Sequence, residues 1–188
     1  MSHDSNQCKN CTHVSNYGLE QTLDEIDFEK SIFNACVYGD LEKVKQFVQQ
    51  KGYSIINSQD KNGYTCLHYS ARNNHFEICK YLLENGADVT LKTNSCKSTA
   101  LHRAAFIGNY KIVKLLLSYN SSPIEQDCDG KTPVHKCLEQ FLIRKEQKYL
   151  DSLKIMVNKK PEVINIKAFS NNKSPLEMYP ELKNIIDE

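Results

Sequence analysis

The chain has 188 residues, enough for one sizeable core or a short array of repeats and too few for two comfortable globular domains. Lysine and arginine total 24 against 23 acidic residues, so no global field would attract nucleic acid, an anionic membrane or an acidic substrate. The sequence has no secretory apolar run and no stretch that approaches the ~20 apolar residues of a membrane span. We therefore expect a cytoplasmic or nuclear protein whose eight cysteines are free thiols.

Residues 1–20 are polar and aperiodic, which predicts a disordered tail. Within this tail, Cys8-x-x-Cys11-x-His13 is the one group with metal-ligand character. Structural zinc needs four ligands, and no second cysteine or histidine pair follows at finger-like spacing. We favour incidental cysteines, and the alternative is a metal- or redox-responsive regulator that uses Cys8, Cys11 and His13.

One motif recurs three times along the rest of the chain. Residues 64–71 read YTCLHYSA, residues 98–105 read STALHRAA and residues 131–137 read KTPVHKC. The threonines of the motif, Thr65, Thr99 and Thr132, are 34 and 33 residues apart. Such a period indicates stacked structural repeats, which we assign to 60–93, 94–126 and 127–164. Residues 25–59 keep the register without the motif and are predicted to form an N-terminal cap repeat, so the repeat domain covers 21–188.

Each repeat is predicted to contain two helices. The threonine hydroxyl can cap the first helix, and Pro133 occupies the N1 position, where its missing N–H costs nothing. Gly63 and Gly130 follow aspartates and allow the tight turn between repeats. The second helix has one apolar face by i, i+3, i+4 spacing, which in residues 94–126 comprises Ile112, Val113, Leu116 and Leu117.

The Thr-x-Leu/Val-His element resembles the T-P-L-H-x-A signature of the ankyrin repeat family, a turn followed by two antiparallel helices. The resemblance implies an all-α ankyrin-repeat solenoid that binds proteins and has no catalytic residues or cofactor. In the family the motif histidine hydrogen-bonds the adjoining turn. His68, His102 and His135 are therefore expected to be structural, and stacking at about 10 Å separates them too far to share one metal ion.

The fourth repeat is longer than the others, and a weak repeat follows it. Its second apolar helix arrives seven residues late, which places an insertion around residues 141–150. Six basic and two acidic residues lie between Arg144 and Lys160, which predicts an enlarged, basic helical hairpin that could bind an acidic partner. Few aromatic residues accompany this charge, so the pattern does not favour nucleic acid. Residues 165–188 keep only Ser-Pro-Leu and are predicted to form a degenerate C-terminal cap.

Ankyrin proteins bind partners on the concave surface formed by the hairpin tips and the inner helices. Phe106 and Ile107 stand out there, because residues just before the Gly108 helix end are commonly polar. The alternative for this pair is packing against the long fourth repeat. The predicted contact residues are Val37, Tyr38, Lys61, Tyr64, Arg72, Asn73, Ser98, Phe106, Ile107, Lys131 and Glu139.

These patterns predict a monomeric, non-enzymatic adaptor with no cofactor. The sequence has no glycine-rich phosphate loop, nucleophile elbow or zinc-protease motif, which argues against the common hydrolases and NTPases. The repeats leave open whether the protein is a scaffold, an IκB-like inhibitor or a ubiquitin-ligase substrate adaptor.

Overall fold

The computed structural model describes residues 31–187, and within this range all regular structure is helical, which confirms the predicted all-α solenoid. Two 3-10 helices, Tyr53–Asn57 and Pro161–Asn165, follow α2 and α8. The α-helices are α1 (Ile32–Tyr38), α2 (Leu41–Lys51), α3 (Cys66–Arg72), α4 (Phe76–Glu84), α5 (Ala100–Ile107), α6 (Tyr110–Ser118), α7 (Pro133–Arg144), α8 (Gln147–Lys159), α9 (Pro175–Met178) and α10 (Leu182–Asp187).

The first helix of each full repeat begins at the predicted threonine. At Thr65, Thr99 and Thr132 the threonine hydroxyl faces the backbone amide of the histidine three residues later, and Nδ1 of that histidine accepts a hydrogen bond from the threonine amide at 3.1–3.2 Å. This reciprocal arrangement is a capping box in which histidine replaces the usual glutamate or glutamine. The predicted capping role is confirmed at Thr65, whose hydroxyl accepts a hydrogen bond from the His68 amide at 3.4 Å, whereas at Thr99 and Thr132 the hydroxyl bonds the histidine ring.

The helices form two stacked layers. Inner helices α1, α3, α5, α7 and α9 pack in chain order, and outer helices α2, α4, α6, α8 and α10 pack behind them. The apolar faces meet between the layers, where Leu67, Ile78, Leu101 and Ile112 are each at most 1% exposed. Each repeat therefore buries its core against its neighbours, as expected for a solenoid whose units do not fold alone.

The turns between repeats form fingers that are joined by backbone hydrogen bonds. The amide of Asn94 donates a hydrogen bond to the carbonyl of Asn62 at 2.9 Å, and the amide of Cys128 donates one to the carbonyl of Cys96 at 2.9 Å. The amide of Phe169 continues the series to Asp129 at 2.8 Å. Adjacent fingers are thus held in register, and they form one edge of the concave surface.

The extra residues of the fourth repeat lengthen its two helices. Helix α7 has 12 residues where α5 has 8, and α8 has 13 where α6 has 9. Only Lys145 and Glu146 link α7 to α8, and Lys145 adopts a left-handed conformation with φ 57°. At 1.5 Å per residue, the added turn makes this helical hairpin about 6 Å longer than its neighbour.

Candidate protein-binding surface

The inner helices place two rows of side chains on the concave surface, because equivalent capped positions start each helix. We define the +4 row and the +7 row by the number of residues after the cap. The +4 row comprises Tyr69, Arg103 and Lys136. The +7 row comprises Tyr38, Arg72, Phe106 and Glu139.

Aromatic rings cluster in the N-terminal half of this surface. The ring centroids of Tyr64 and Tyr69 lie 5.2 Å apart, and the ring of Phe33 lies 6.0 Å from that of Tyr69. The Arg103 guanidinium lies 5.0 Å from the Tyr64 ring centroid and donates a hydrogen bond to the Tyr64 hydroxyl. Aromatic and cation–π pairs of this kind contribute roughly 0.5–1.5 kcal/mol each, so the cluster is held in a defined geometry.

Asp60 anchors the aromatic cluster to the finger beneath it. Its Oδ1 accepts hydrogen bonds from the amides of Asn62 and Tyr64 at 2.9 and 2.8 Å. Its Oδ2 accepts one from the Tyr69 hydroxyl at 2.7 Å. Burial and the hydrogen bond to Asp60 raise the pKa of Tyr69 well above its ordinary value. The phenol therefore remains a donor to Asp60 at any physiological pH.

In the C-terminal half of the surface, lysines and carboxylates pair with one another. Lys136 Nζ lies 2.8 Å from the Asp127 carboxylate and 3.9 Å from that of Asp129. Lys131 Nζ lies 2.7 Å from the Glu139 carboxylate. Burial by itself lowers the pKa of Lys136, but the hydrogen bond and charge of Asp127 outweigh it and raise that pKa above its ordinary value. These carboxylates are largely neutralised within the protein.

A groove of about 200 Å³ lies between the two halves. The residues that line it include Arg72, Arg103, Phe106, Lys136 and Glu139. The groove is smaller than the ~300–1,000 Å³ typical of small-molecule and cofactor sites. Its size suits one or two side chains of a binding partner.

Four of the predicted contact residues are exposed at the concave surface or its edge. The side chains of Tyr38 and Phe106 are 77% and 41% exposed, which is high for aromatic residues. Lys61, at a finger, and Asn73, at the end of α3, are exposed polar residues. Together with the half-buried Tyr64, Arg72, Lys131 and Glu139 they outline the surface that the sequence predicts.

The structure places the remaining three predicted residues less favourably. Val37 is half-buried, and its carbonyl accepts a hydrogen bond from His75 Nε2 at 2.8 Å. Ile107 is also half-buried. Ser98 is only 3% exposed, and its amide and carbonyl bond Thr93 and His68. The prediction that Ser98 is an exposed contact is wrong, because these bonds hold it against Thr93 and His68.

Lys148 and Tyr149 of the lengthened fourth repeat lie close to the end of α5. A Cβ atom at Gly108 would lie 2.7 Å from the Tyr149 ring, so the glycine is needed for this close approach. Phe106, by contrast, is 41% exposed and lines the groove together with Lys136 and Glu139. The fourth repeat therefore packs against the end of α5 at Gly108, but it leaves the Phe106 side chain exposed for a binding partner.

Sequence reasoning missed Phe33, Tyr69, Arg103 and Lys136. The last three occupy the variable position of T-P-L-H-x-A, which directly follows the histidine. Variation at this position within an otherwise regular motif was the available signal.

The motif histidines have the structural role that the family implies. In each, Nδ1 faces the amide and hydroxyl of the capping threonine, and Nε2 lies 3.0–3.2 Å from a carbonyl of the next finger, at Ser98, Lys131 and Lys173. Because Nδ1 accepts from the threonine amide, the proton is assigned to Nε2, which donates to the carbonyl. Burial lowers the pKa of His68 and of His102 to about 4.

Residues 31–187 contain no group of three histidine, cysteine or acidic residues that could hold a metal ion. The metal candidates Cys8, Cys11 and His13 lie outside the described residues. The six cysteines within them are free thiols. Burial raises the pKa of Cys79 and Cys137 well above the ordinary value, which disfavours their reactive thiolate form.

Stacked helix pairs, histidine-bridged fingers and a concave surface define a helical-repeat binding protein. Comparison with protein families gives matches to ankyrin repeats (3 copies) over residues 6–93 and to ankyrin repeats (many copies) over residues 73–117. The two matches together span more than half of the chain, and the chain belongs to the ankyrin repeat family. Ankyrin repeats form a protein–protein interaction module, and proteins of this family are generally non-enzymatic.

Several known proteins are similar to parts of the chain. Ankyrin repeat domain-containing protein 39 of Homo sapiens is 44% identical over 85 residues, which cover 45% of this chain and 45% of that protein. The probable 26S proteasome regulatory subunit p28 of Saccharomyces cerevisiae is 36% identical over 107 residues, which cover 56% of this chain and 46% of that protein. The E3 ubiquitin-protein ligase Ufd4 of Drosophila melanogaster is 35% identical over 102 residues, 54% of this chain but 4% of the ligase. The match spans less than half the length of each relative.

No helix within the described range is long and apolar enough to span a membrane.

Proposed function

We propose that this chain is a non-enzymatic adaptor that binds a partner protein on its concave surface, with Tyr38, Arg72 and Phe106 at the centre of the contact. The observation that supports this surface is the +7 row. Three successive inner helices each contribute one of these residues, and the two aromatic side chains are 77% and 41% exposed. Tyrosine and arginine are enriched among the residues that dominate binding energy, and exposed aromatic groups on a rigid scaffold lose little entropy on binding.

The surroundings of this row also suit a protein partner. The cation–π contact between Arg103 and Tyr64 and the Lys131–Glu139 ion pair fix neighbouring side chains before binding. A preorganised surface needs less ordering when the complex forms. The groove of about 200 Å³ offers a pocket for an anchoring side chain at its centre.

The proposal is tested by affinity purification and mass spectrometry on the full chain, with Phe106→Glu and Tyr38→Glu compared with wild type. Tyr53→Glu is the matched control, since Tyr53 is 65% exposed but lies in the 3-10 helix that follows outer helix α2. We expect the specific co-purifying proteins to be lost from both concave variants and retained by the control. Circular dichroism must show that all three variants fold. Retention of every partner by both folded concave variants would contradict the proposal.

We further propose a monomer in the cytoplasm or nucleus. The six free thiols in residues 31–187 support a reducing compartment. Light scattering of the purified chain tests the monomer, and imaging of a tagged chain tests the location. A stable dimer or a secreted product would contradict the respective statement.

A further inference from the structure

The charged groups of the groove differ in whether they have partners. Glu139 is paired with Lys131, and Asp127 and Asp129 share Lys136. Asp60 accepts bonds from two amides and the Tyr69 hydroxyl. Neither Arg72 nor Arg103 forms a salt bridge with a carboxylate of residues 31–187. The two arginines are thus the cations of this surface that an incoming carboxylate can reach without displacing a partner.

Arg103 is positioned before any ligand binds. Its guanidinium packs on the Tyr64 ring, and one terminal nitrogen donates to the Tyr64 hydroxyl. Its Nε is shielded from solvent and has no hydrogen-bond partner among the described residues. A buried donor without a partner is energetically unfavourable. A planar guanidinium matches a carboxylate through two parallel hydrogen bonds.

Arg72 and Phe106 complete the environment of this position. Both are in the +7 row of adjacent repeats, and both line the groove with Arg103. A side chain that enters would meet two guanidinium groups and one aromatic ring. An acidic residue fits the first pair, and an apolar neighbour in the same segment can cover the ring of Phe106, which is 41% exposed.

We propose that Arg72 and Arg103 form a carboxylate-binding subsite, which takes an aspartate or glutamate side chain of a partner protein while an adjacent apolar side chain of that partner packs on Phe106. The partner element is therefore a short acidic and apolar segment. This inference rests on the proposed function, because it specifies what the concave surface recognises. The size of the groove favours a side chain over a free metabolite.

The test is selection of peptides from an unbiased, unphosphorylated phage library on the full wild-type chain. We expect selected sequences to be enriched in aspartate or glutamate beside an apolar residue. The same selection on Arg72→Gln should reduce the acidic enrichment and keep the apolar one. Arg144→Gln is the matched control, because it removes the same charge from an exposed position on α7 and should leave the enrichment unchanged.

A synthetic peptide from the wild-type selection then gives the magnitude by fluorescence anisotropy. Replacing the acidic residue of the peptide by the matching amide should weaken binding at least tenfold, and so should Arg72→Gln in the protein. The two changes combined should weaken binding little more than either change alone. Selected peptides without acidic enrichment that still lose binding with Phe106→Glu would overturn the carboxylate subsite and leave the concave surface standing. Peptides unaffected by Phe106→Glu and Tyr38→Glu would overturn both.

Discussion

Acidification should destabilise this fold through its buried histidines, and His68→Gln isolates the effect. Burial lowers the pKa of His68 from 6.5 to about 4. The ring is 1% exposed and is needed neutral, because Nδ1 accepts from Thr65 while Nε2 donates to the carbonyl of Ser98. Protonation would require Nδ1 to give up its acceptor role within the capping box.

The sign and size of the effect follow from linkage. The pKa of His68 is lower in the folded state, so the unfolded chain binds more protons between pH 6.5 and about 4. The contribution of neutral His68 to the free energy of unfolding is therefore fully present above pH 6.5 and is lost as the pH falls towards 4. A fall in pKa from 6.5 to about 4 corresponds to about 3 kcal/mol, of which about 2.5 kcal/mol is lost between about pH 7.5 and about pH 4.5.

The measurement is urea unfolding followed by far-ultraviolet circular dichroism at those two pH values. At the higher pH, His68→Gln should be less stable than wild type, because the histidine bridges the helix cap and the next finger. At the lower pH, this difference in the free energy of unfolding should shrink by about 2.5 kcal/mol or reverse, since glutamine does not titrate. Carboxylates titrate in both proteins and cancel. An unchanged difference at the two pH values would refute the reasoning.

Three further predictions concern stability and are measured by urea unfolding at neutral pH. Gly108→Ala should lower the free energy of unfolding by about 2 kcal/mol or more, because φ is 75° and the new Cβ would lie 2.7 Å from the Tyr149 ring. The control Gly86→Ala, with φ 87° and open space around it, should lower it less. Equal losses in the two variants would contradict the predicted clash. Thr65→Val should lower the free energy of unfolding by about 1–2 kcal/mol by removing the cap of α3, while Thr90→Val at an exposed loop should change it little. Lys136→Met should lower the free energy of unfolding by about 3 kcal/mol, because it leaves the fully buried Asp127 carboxylate without its cation. Adding Asp127→Asn to this variant should recover part of that loss. If the losses of the two single variants simply added in the double variant, the result would argue against a stabilising ion pair.

The structure also shows how far local sequence signals extend. The period, the capping threonines, the motif histidines and the apolar faces of α4 and α6 could all be predicted. Each depends on interactions within one or two helical turns or on repetition along the chain. Cys36, Cys79 and Cys137 lie in the same buried core and are each 0% exposed.

The composition of the binding surface could not be predicted to the same depth. Arg103 is separated from Tyr64 by 39 residues, and its role depends on the stacking of one repeat on the next. The burial of Ser98 arises from a bond to His68, 30 residues earlier. The enlarged hairpin of the fourth repeat was predicted, but the division of its extra residues between α7 and α8 depends on how the two helices pack together.

The sequence by itself therefore determined the architecture of this protein, because a repeat fold is specified by short-range signals written several times. Tertiary structure alone decided which side chains share the concave groove and which charges are already paired. Those outcomes depend on residues about 30–40 positions apart that only stacking brings into contact. The two arginines beside Phe106 became recognisable as a subsite only when the partners of the surrounding carboxylates were known.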